Sequence, residues 1–458
     1  MRRPSRPAVI TVLTALALTA CSSGTPAPGD AVTLTIASNS ISGGKNGENA
    51  DWIAKWVIPE FEKAQKAKGR TVKVVFQPSG VDDEQYKTRI ALDLKSKKGA
   101  DVLAVDGIWV GEFAQAGYLR PLTDVAGTGV ESWEGWAQIP QAVQGLGIFE
   151  GKKYGIPLGT DGRVLFYNKD LFKKAGLGEP WQPKSWQEIL DAGAALKKLP
   201  GVTPLQINAG AAMGEATTMQ GALPLLVGAG AEIYADGKWA GAGTAMKDML
   251  GFYRQVYGGG LGDPLLQQEA KGRDKSFAEF ADNKIGILLE SDYFWRSVVE
   301  PNKGVAKMAD RNTAVGWAMV PARTSGAGVG GQDFVSMSGG AVRVLNPFTK
   351  QPALTWELLS FMHSAAATKS ELAGQVRISA RKDVNDEVLT ADPMLKFIAD
   401  EVLPITAYRP PLAVYPQVST ALQTATSQVV AGTAADEAAT TYQHTLEGLV
   451  GGPANISG

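Results

Sequence analysis

Reactive side chains are scarce in this chain: among 458 residues there are one Cys and two His, against 46 Asp plus Glu and 45 Lys plus Arg. The single thiol, Cys21, excludes internal disulfides and cysteine-built zinc sites. His363 and His444 are too far apart in sequence for an HExxH helix or a His-rich metal centre. Gly44-Lys45, Gly151-Lys152 and Gly237-Lys238 all lack the Ser or Thr that a phosphate-binding P-loop places next. No Ser sits in GxSxG, and a Ser-His-Asp triad would have to recruit one of the two His. Residues 326–331 spell GxGxxG, yet Gln332 to Met337 read as strand where a dinucleotide fold needs a helix. Asp383-Val384-Asn385-Asp386-Glu387 begins like a calcium loop, but Val388 stands where that loop requires Gly, and a solvated turn is expected. Carboxylates, amides and aromatic rings remain. Two converging carboxylates could hydrolyse a glycosidic bond, since such a pair needs to meet only in space. No motif calls for a cofactor or a metal.

The elements that must hold these groups show in the hydrophobic pattern. Val32 to Ala37 is β-rich, and Asp51 to Lys66 sets Trp52, Ile53, Trp56, Val57 and Phe61 at helical spacings. Thr71 to Gln77 alternates, Glu84 to Lys97 is helical with Gly99 as a stop, and Asp101 to Asp106 is a short buried strand. This is a βαβ series. Ligands in open α/β sheets sit beyond the carboxyl ends of strands, which directs attention to the loops Ser38 to Gly47, Pro78 to Asp83 and Asp106 to Trp109. Ser40, Asp83, Glu84, Asp106 and Trp109 are candidate binding groups there, with Trp109 alternatively the first core residue of the next helix.

A second series follows Ile156-Pro157. It has a strand from Arg163 to Asn168 and a helix opened by Ser185-Trp186-Gln187-Glu188, a capping box. Helices are expected at Thr217–Leu226, Ala245–Tyr257 and Lys275–Asn283, with strands from Lys284 to Glu290, around Val315 to Val320, and from Phe334 to Val344. Pro352 to Ser364 and the tail from Tyr415 read as helix. Two α/β units joined by several crossings fit this pattern, with no internal repeat.

Residues 1–20 look like a secretory signal: Arg2, Arg3 and Arg6 precede an uncharged run from Ala8 to Ala20, too short to span a bilayer. The run ends in Leu18-Thr19-Ala20-Cys21, which resembles the bacterial lipobox; this implies a lipid on Cys21, membrane anchoring outside the cytoplasm, and a flexible tether over 21–30. Residues 1–20 hold three Arg and no acid, so the 438 residues after them carry a net charge of −4. Such a balance, without a basic block, excludes the electrostatic footprint of a nucleic-acid partner.

The segment from Ile156 to Leu177 (IPLGTDGRVLFYNKDLFKKAGL), continued by Trp186-Gln187-Glu188-Ile189-Leu190, resembles the extracellular solute-binding proteins of carbohydrate ABC transporters. Asp101–Leu122, Phe277–Trp295, Gly330–Leu359 and Tyr408-Arg409-Pro410-Pro411 with Tyr415 are similar to the same family in the same order, nearest its trehalose- and maltose-binding branch. The resemblance implies a two-lobe α/β fold of the periplasmic binding type, with a hinge, an interlobe cleft and no catalysis. It implies a first lobe of 31–157 plus 332–385 and a second of 158–331 plus 386–458. The implied ligand is a di- or oligosaccharide, with a polyol, glycoside or non-sugar solute in the same fold as the alternative, and the implied partners are permease subunits with a separate ATPase; a monomer is expected because the cleft must stay free to open. The family's hydroxyl-binding carboxylate falls on Asp161 with a turn-capping role as the alternative, its aromatic wall on Tyr293 and Trp295 with core packing as the alternative, and its cleft arginine on Arg409 with a surface salt bridge as the alternative. Its Gly-Gly loop falls on Gly330 and Gly331, followed here by Gln332 in place of an aromatic residue.

Overall fold

The structure is a computed structural model, and it describes residues 31–44, 46–81, 83–269, 271–373 and 376–458, apart from the side chain of Glu84. The proposed signal, the tether and Cys21 lie outside the described residues.

Three parallel strands, Val72–Pro78, Val32–Ser38 and Val102–Asp106, begin a five-stranded sheet. Ala341–Leu345 joins antiparallel, placing Ala341 opposite Asp106 and Leu345 opposite Val102, and Gly155–Pro157 closes the edge. The helix after the first strand runs continuously over residues 47–67, with a wider π stretch at Ile53–Val57 in its middle. Its face of Trp52, Ile53, Val57 and Phe61 is buried, as the spacing predicts. The helix Asp83–Lys95 follows the second strand, and the chain then turns through left-handed Lys97 and Gly99.

A second sheet orders Val315–Ala318, Arg163–Asn168, Ile285–Ser291 and Thr203–Gln206. Its two central strands are buried along their whole length, which explains the apolar runs at 164–166 and 287–289. The helices Thr244–Gly258, Tyr415–Val430 and Ala435–Val450 cover one side, in a core built from Leu250, Tyr253, Leu422 and Leu446 among others. Ser185 caps the helix Trp186–Leu196 by accepting the Glu188 amide at 3.3 Å, and Glu188 reaches back to the Lys184 amide at 2.8 Å.

A three-stranded sheet of Val320–Pro321, Phe334–Ser338 and Thr406–Tyr408 connects the two lobes. The expected single strand from Phe334 to Val344 is two strands, because Gly339-Gly340 breaks it. Gly340 has φ +152°, and a Cβ there would stand 2.5 Å from the Gly159 carbonyl oxygen, so the chain can turn between sheets only with glycine in place. A second correction concerns residues 383–387, which form part of the helix Lys382–Val388 and not a turn. Asp383 sits in its first turn and accepts the Val384 amide, while Arg381 pairs with it at 2.8 Å; these contacts supply the helix start that the calcium-loop likeness obscured. Among the described residues no helix is long and apolar enough to cross a membrane.

Candidate functional site

All three loops singled out at the carboxyl ends of the first-lobe strands open onto one cavity of about 760 Å³ between the lobes. The first-lobe wall is polar. Asn39 donates to Asp83 Oδ1 and to the Val81 carbonyl, both at 3.0 Å. Asn49, on the first turn of the 47–67 helix, accepts from Ser38 and Ser40 at 3.3 Å and donates to Glu371 at 2.9 Å. Glu371 also pairs with Arg377, so two wall residues are held by one buried carboxylate. Asp106 ends its strand at the cavity and accepts the Ile108 amide at 3.0 Å.

The second-lobe wall starts at Asp161, which accepts the Gly339 amide at 2.7 Å and pairs with Arg163. Behind it Asp292, fully buried, accepts the Gly162 amide at 3.2 Å and holds Arg296, which lines the cavity, at 2.9 Å. Arg409 enters at the hinge, 3.1 Å from Glu215 and 3.9 Å from Asp106, with Tyr415 donating to the same Glu215 at 3.2 Å. Burial pushes the Asp106 carboxyl above the usual carboxylate range, with Arg409 opposing. Burial acts on Asp161 as well, but Arg163 and the Gly339 amide outweigh it and hold that carboxyl below its ordinary value. Asp292 is raised, by burial first and by Asp161 as a like charge, against the pull of Arg296.

Asp83, Asp106, Trp109 and Asp161 therefore all line the cavity, and Arg409 stands at its hinge end. Trp109 is 6% exposed and touches the cavity from the start of its helix, so it serves as core and wall at once. Ser40 is buried one layer back, behind Asn49. Glu84 is on the same helix as Asp83, its side chain outside the described set. Tyr293 is 38% exposed and lies between the guanidiniums of Arg273 and Arg296, 5.8 and 5.6 Å from its ring centre.

Two expectations are corrected here. Trp295 is 2% exposed and faces the core, where its indole donates to Asp392 at 3.0 Å, packs on Trp317, and lies 3.9 Å from the Arg311 guanidinium; it forms no cleft wall. Gly330 and Gly331 form an exposed turn with left-handed φ of 67° and 80°, followed by half-buried Gln332, and none of the three lines the cavity. The glycine pair that brings backbone to the cavity is Gly339-Gly340. Its mark in the sequence is a Gly-Gly inside an otherwise continuous strand pattern. Asn39, Asn49, Arg296 and Glu215 belong to no motif that marks them in the sequence, although Asn39 falls in the loop after the first strand.

A Brucella abortus binding protein is 23% identical over 331 residues, 72% of this chain and 74% of that one. The family model described as bacterial extracellular solute-binding protein matches residues 46–369. The chain belongs to this family. It is a family of binding proteins and not of enzymes, and its members act outside the cytoplasm. The sugar-binding protein MalE of Xanthomonas citri superimposes with a TM-score of 0.72 over 92% of this chain and 98% of its own, at 18% identity. The cyclic α-maltosyl-1,6-maltose binding protein of Arthrobacter globiformis gives 0.70 at 19% identity, over 92% and 99%. These likenesses fix the two-lobe fold. The sn-glycerol-3-phosphate-binding periplasmic protein of Brucella abortus is 28% identical over 175 residues, 36% of this chain and 39% of that one.

Proposed function

We propose that this solute-binding protein captures a neutral di- or oligosaccharide, a trehalose- or maltose-like α-glucoside being favoured, and delivers it to the permease of an ABC importer from an anchor on acylated Cys21. The carrying observation is how the cleft's charges are paired. Each arginine at the cleft already faces a carboxylate: Arg296 meets Asp292, Arg377 meets Glu371, and Arg409 meets Glu215. Among the described residues this leaves no unpaired guanidinium to neutralise a phosphate, while Asp106 and Asp161 bring carboxylate oxygens to the cavity that can accept hydroxyl protons. Trp109 and Tyr86 supply the aromatic part of the lining, fit for the C–H face of a pyranose ring. The lobes are proposed as 31–157 plus 332–385 and 158–331 plus 386–458, with binding roles for Asp83, Asp106, Trp109, Asp161, Tyr293 and Arg409.

A sugar touching Asp106 on one lobe and Asp161 on the other would favour the closed arrangement through those differential contacts. Calorimetric titration with trehalose, maltose, longer α-glucans and sn-glycerol 3-phosphate tests the reading. A saturable isotherm for a neutral sugar and none for the phosphate is expected; the reverse would transfer the protein to phosphorylated polyols. Mass spectrometry of the membrane-associated protein should show a diacylglyceryl group on Cys21, and an unmodified thiol there would remove the anchor.

A further inference from the structure

The end of the first lobe farthest from the cleft carries a basic hollow. The register of the first sheet places Asp106 and Ala341 at the cleft, and Val102 and Leu345 toward this opposite end. Beyond them Lys97, Lys98 and Lys350 line a depression of about 570 Å³ together with Phe348 and Ala31. Lys97 and Arg120 each stand 5.8 Å from the Phe348 ring centre, so a fourth cation gathers at the same place. All four cations are exposed, and none forms an ion pair among the described residues. Asp101 is the one acid among the lining residues, and its oxygens are occupied. Oδ2 accepts the Thr35 amide at 2.8 Å and hydroxyl at 2.7 Å, and Oδ1 accepts the Thr349 hydroxyl at 2.6 Å.

We propose that this hollow seats anionic lipid headgroups and lays the closed end of the first lobe on the membrane surface. The place where the chain enters the fold argues for this occupant. Ala31 is part of the hollow, and nine residues separate it from Cys21. That length reaches at most about 35 Å when fully extended, and an unconstrained chain of it averages about 17 Å end to end. An acylated Cys21 therefore keeps these four cations close to the headgroups; for that proximity alone, the inference rests on the proposed anchor. The chain after the signal is net negative, so the attraction comes from the local grouping and not from overall charge. Each basic side chain beside an anionic leaflet contributes about fivefold in affinity, within a Debye length of about 8 Å at physiological salt.

The test uses residues 21–458 with Cys21→Ser, co-sedimented with phosphatidylcholine vesicles with and without phosphatidylglycerol, at low and high salt. Binding at least about tenfold tighter to the anionic vesicles, and falling with salt, is expected. The triple variant Lys97→Glu, Lys98→Glu, Lys350→Glu should lose that preference while keeping its sugar affinity and thermal midpoint. If the triple variant fails to fold, single Lys98→Gln and Lys350→Gln variants, each expected to weaken vesicle binding severalfold, provide the reading. Equal binding to neutral vesicles, or vesicle binding unchanged in these variants, overturns the proposal. So does stabilisation of the protein by inorganic phosphate without vesicle binding, which would make the hollow a site for a free anion. The protein offered to the vesicles carries no lipid, so a negative result here leaves the acylation of Cys21 standing, and an unmodified Cys21 leaves the vesicle result standing.

Discussion

Asp106 and Asp161 face one cavity from opposite lobes and are poised in opposite directions. Arg163 and the Gly339 amide outweigh burial and hold the Asp161 carboxyl below its ordinary value, whereas burial lifts Asp106. Asp161→Ala or Arg409→Ala should weaken sugar binding at least about tenfold, the consequence of losing about 1–3 kcal/mol of buried hydrogen bonding, with calorimetry as the check and unchanged affinity in both as the refuting result. Trp295→Ala should behave differently, lowering stability by about 3–5 kcal/mol as a core truncation does, read from the thermal midpoint. The pH dependence follows from the signs. The folded protein holds the Asp106 proton more tightly than the unfolded chain does, so in the window above 3.8 this group's contribution to stability rises as pH falls through the raised value. A hydroxyl bound to the ionised carboxylate loses its charged acceptor over the same window, which weakens that hydrogen bond, so affinity should fall while the fold holds. Titrations from neutral pH downward should show that loss, and Asp106→Asn should flatten it. The carboxylates were readable as residues because each ends a strand or sits in a short turn. Trp295 misled because its position after the strand Ile285–Ser291 says nothing of direction: Tyr293, Trp295 and Arg296 leave the chain within one turn, one half-exposed, one into the core and one to the cavity.

At the scale of elements, the strand from Arg163 to Asn168 and the helix from Thr244 were legible almost to the residue, the first as a short apolar run and the second by its helical period, whereas of the tail only the start at Tyr415 was, and not its division into Tyr415–Val430 and Ala435–Val450. The junction at Gly339-Gly340 was not, because apolar residues continue on both sides at strand spacing and only backbone geometry separates the two sheets. Gly340→Val should therefore cost a few kcal/mol, since φ +152° and the 2.5 Å approach to the Gly159 oxygen both oppose a Cβ. A Cβ at Gly339 meets only ordinary contacts of 3.7 Å or more, to Arg409, Asp161 and Met219, so Gly339→Ala should spare the fold while narrowing the cavity, lowering affinity more than the thermal midpoint. Equal effects of the two substitutions on stability would refute that division. The basic hollow was invisible for a related reason: Lys97, Lys98, Arg120 and Lys350 are scattered along the chain, and only the antiparallel return of Ala341–Leu345 brings them to one end.

For the molecule as a whole, the proposed function has the two lobes close on a bound sugar. Small-angle scattering should show a smaller radius of gyration with saturating sugar than without it, and an identical profile would argue for a rigid receptor. In the proposed division the chain crosses between the lobes an odd number of times, after Pro157, before Gln332 and after Asn385. Ala31 therefore leads into the first lobe's sheet, while Ile456–Ser457 pairs with Trp239–Ala240 on the second. A fluorophore at each of these places would read closure directly, making the chain a ready-made sugar gauge without an inserted reporter. With the first lobe laid on a membrane as proposed, closure would make that lobe the stator and the second the swinging arm.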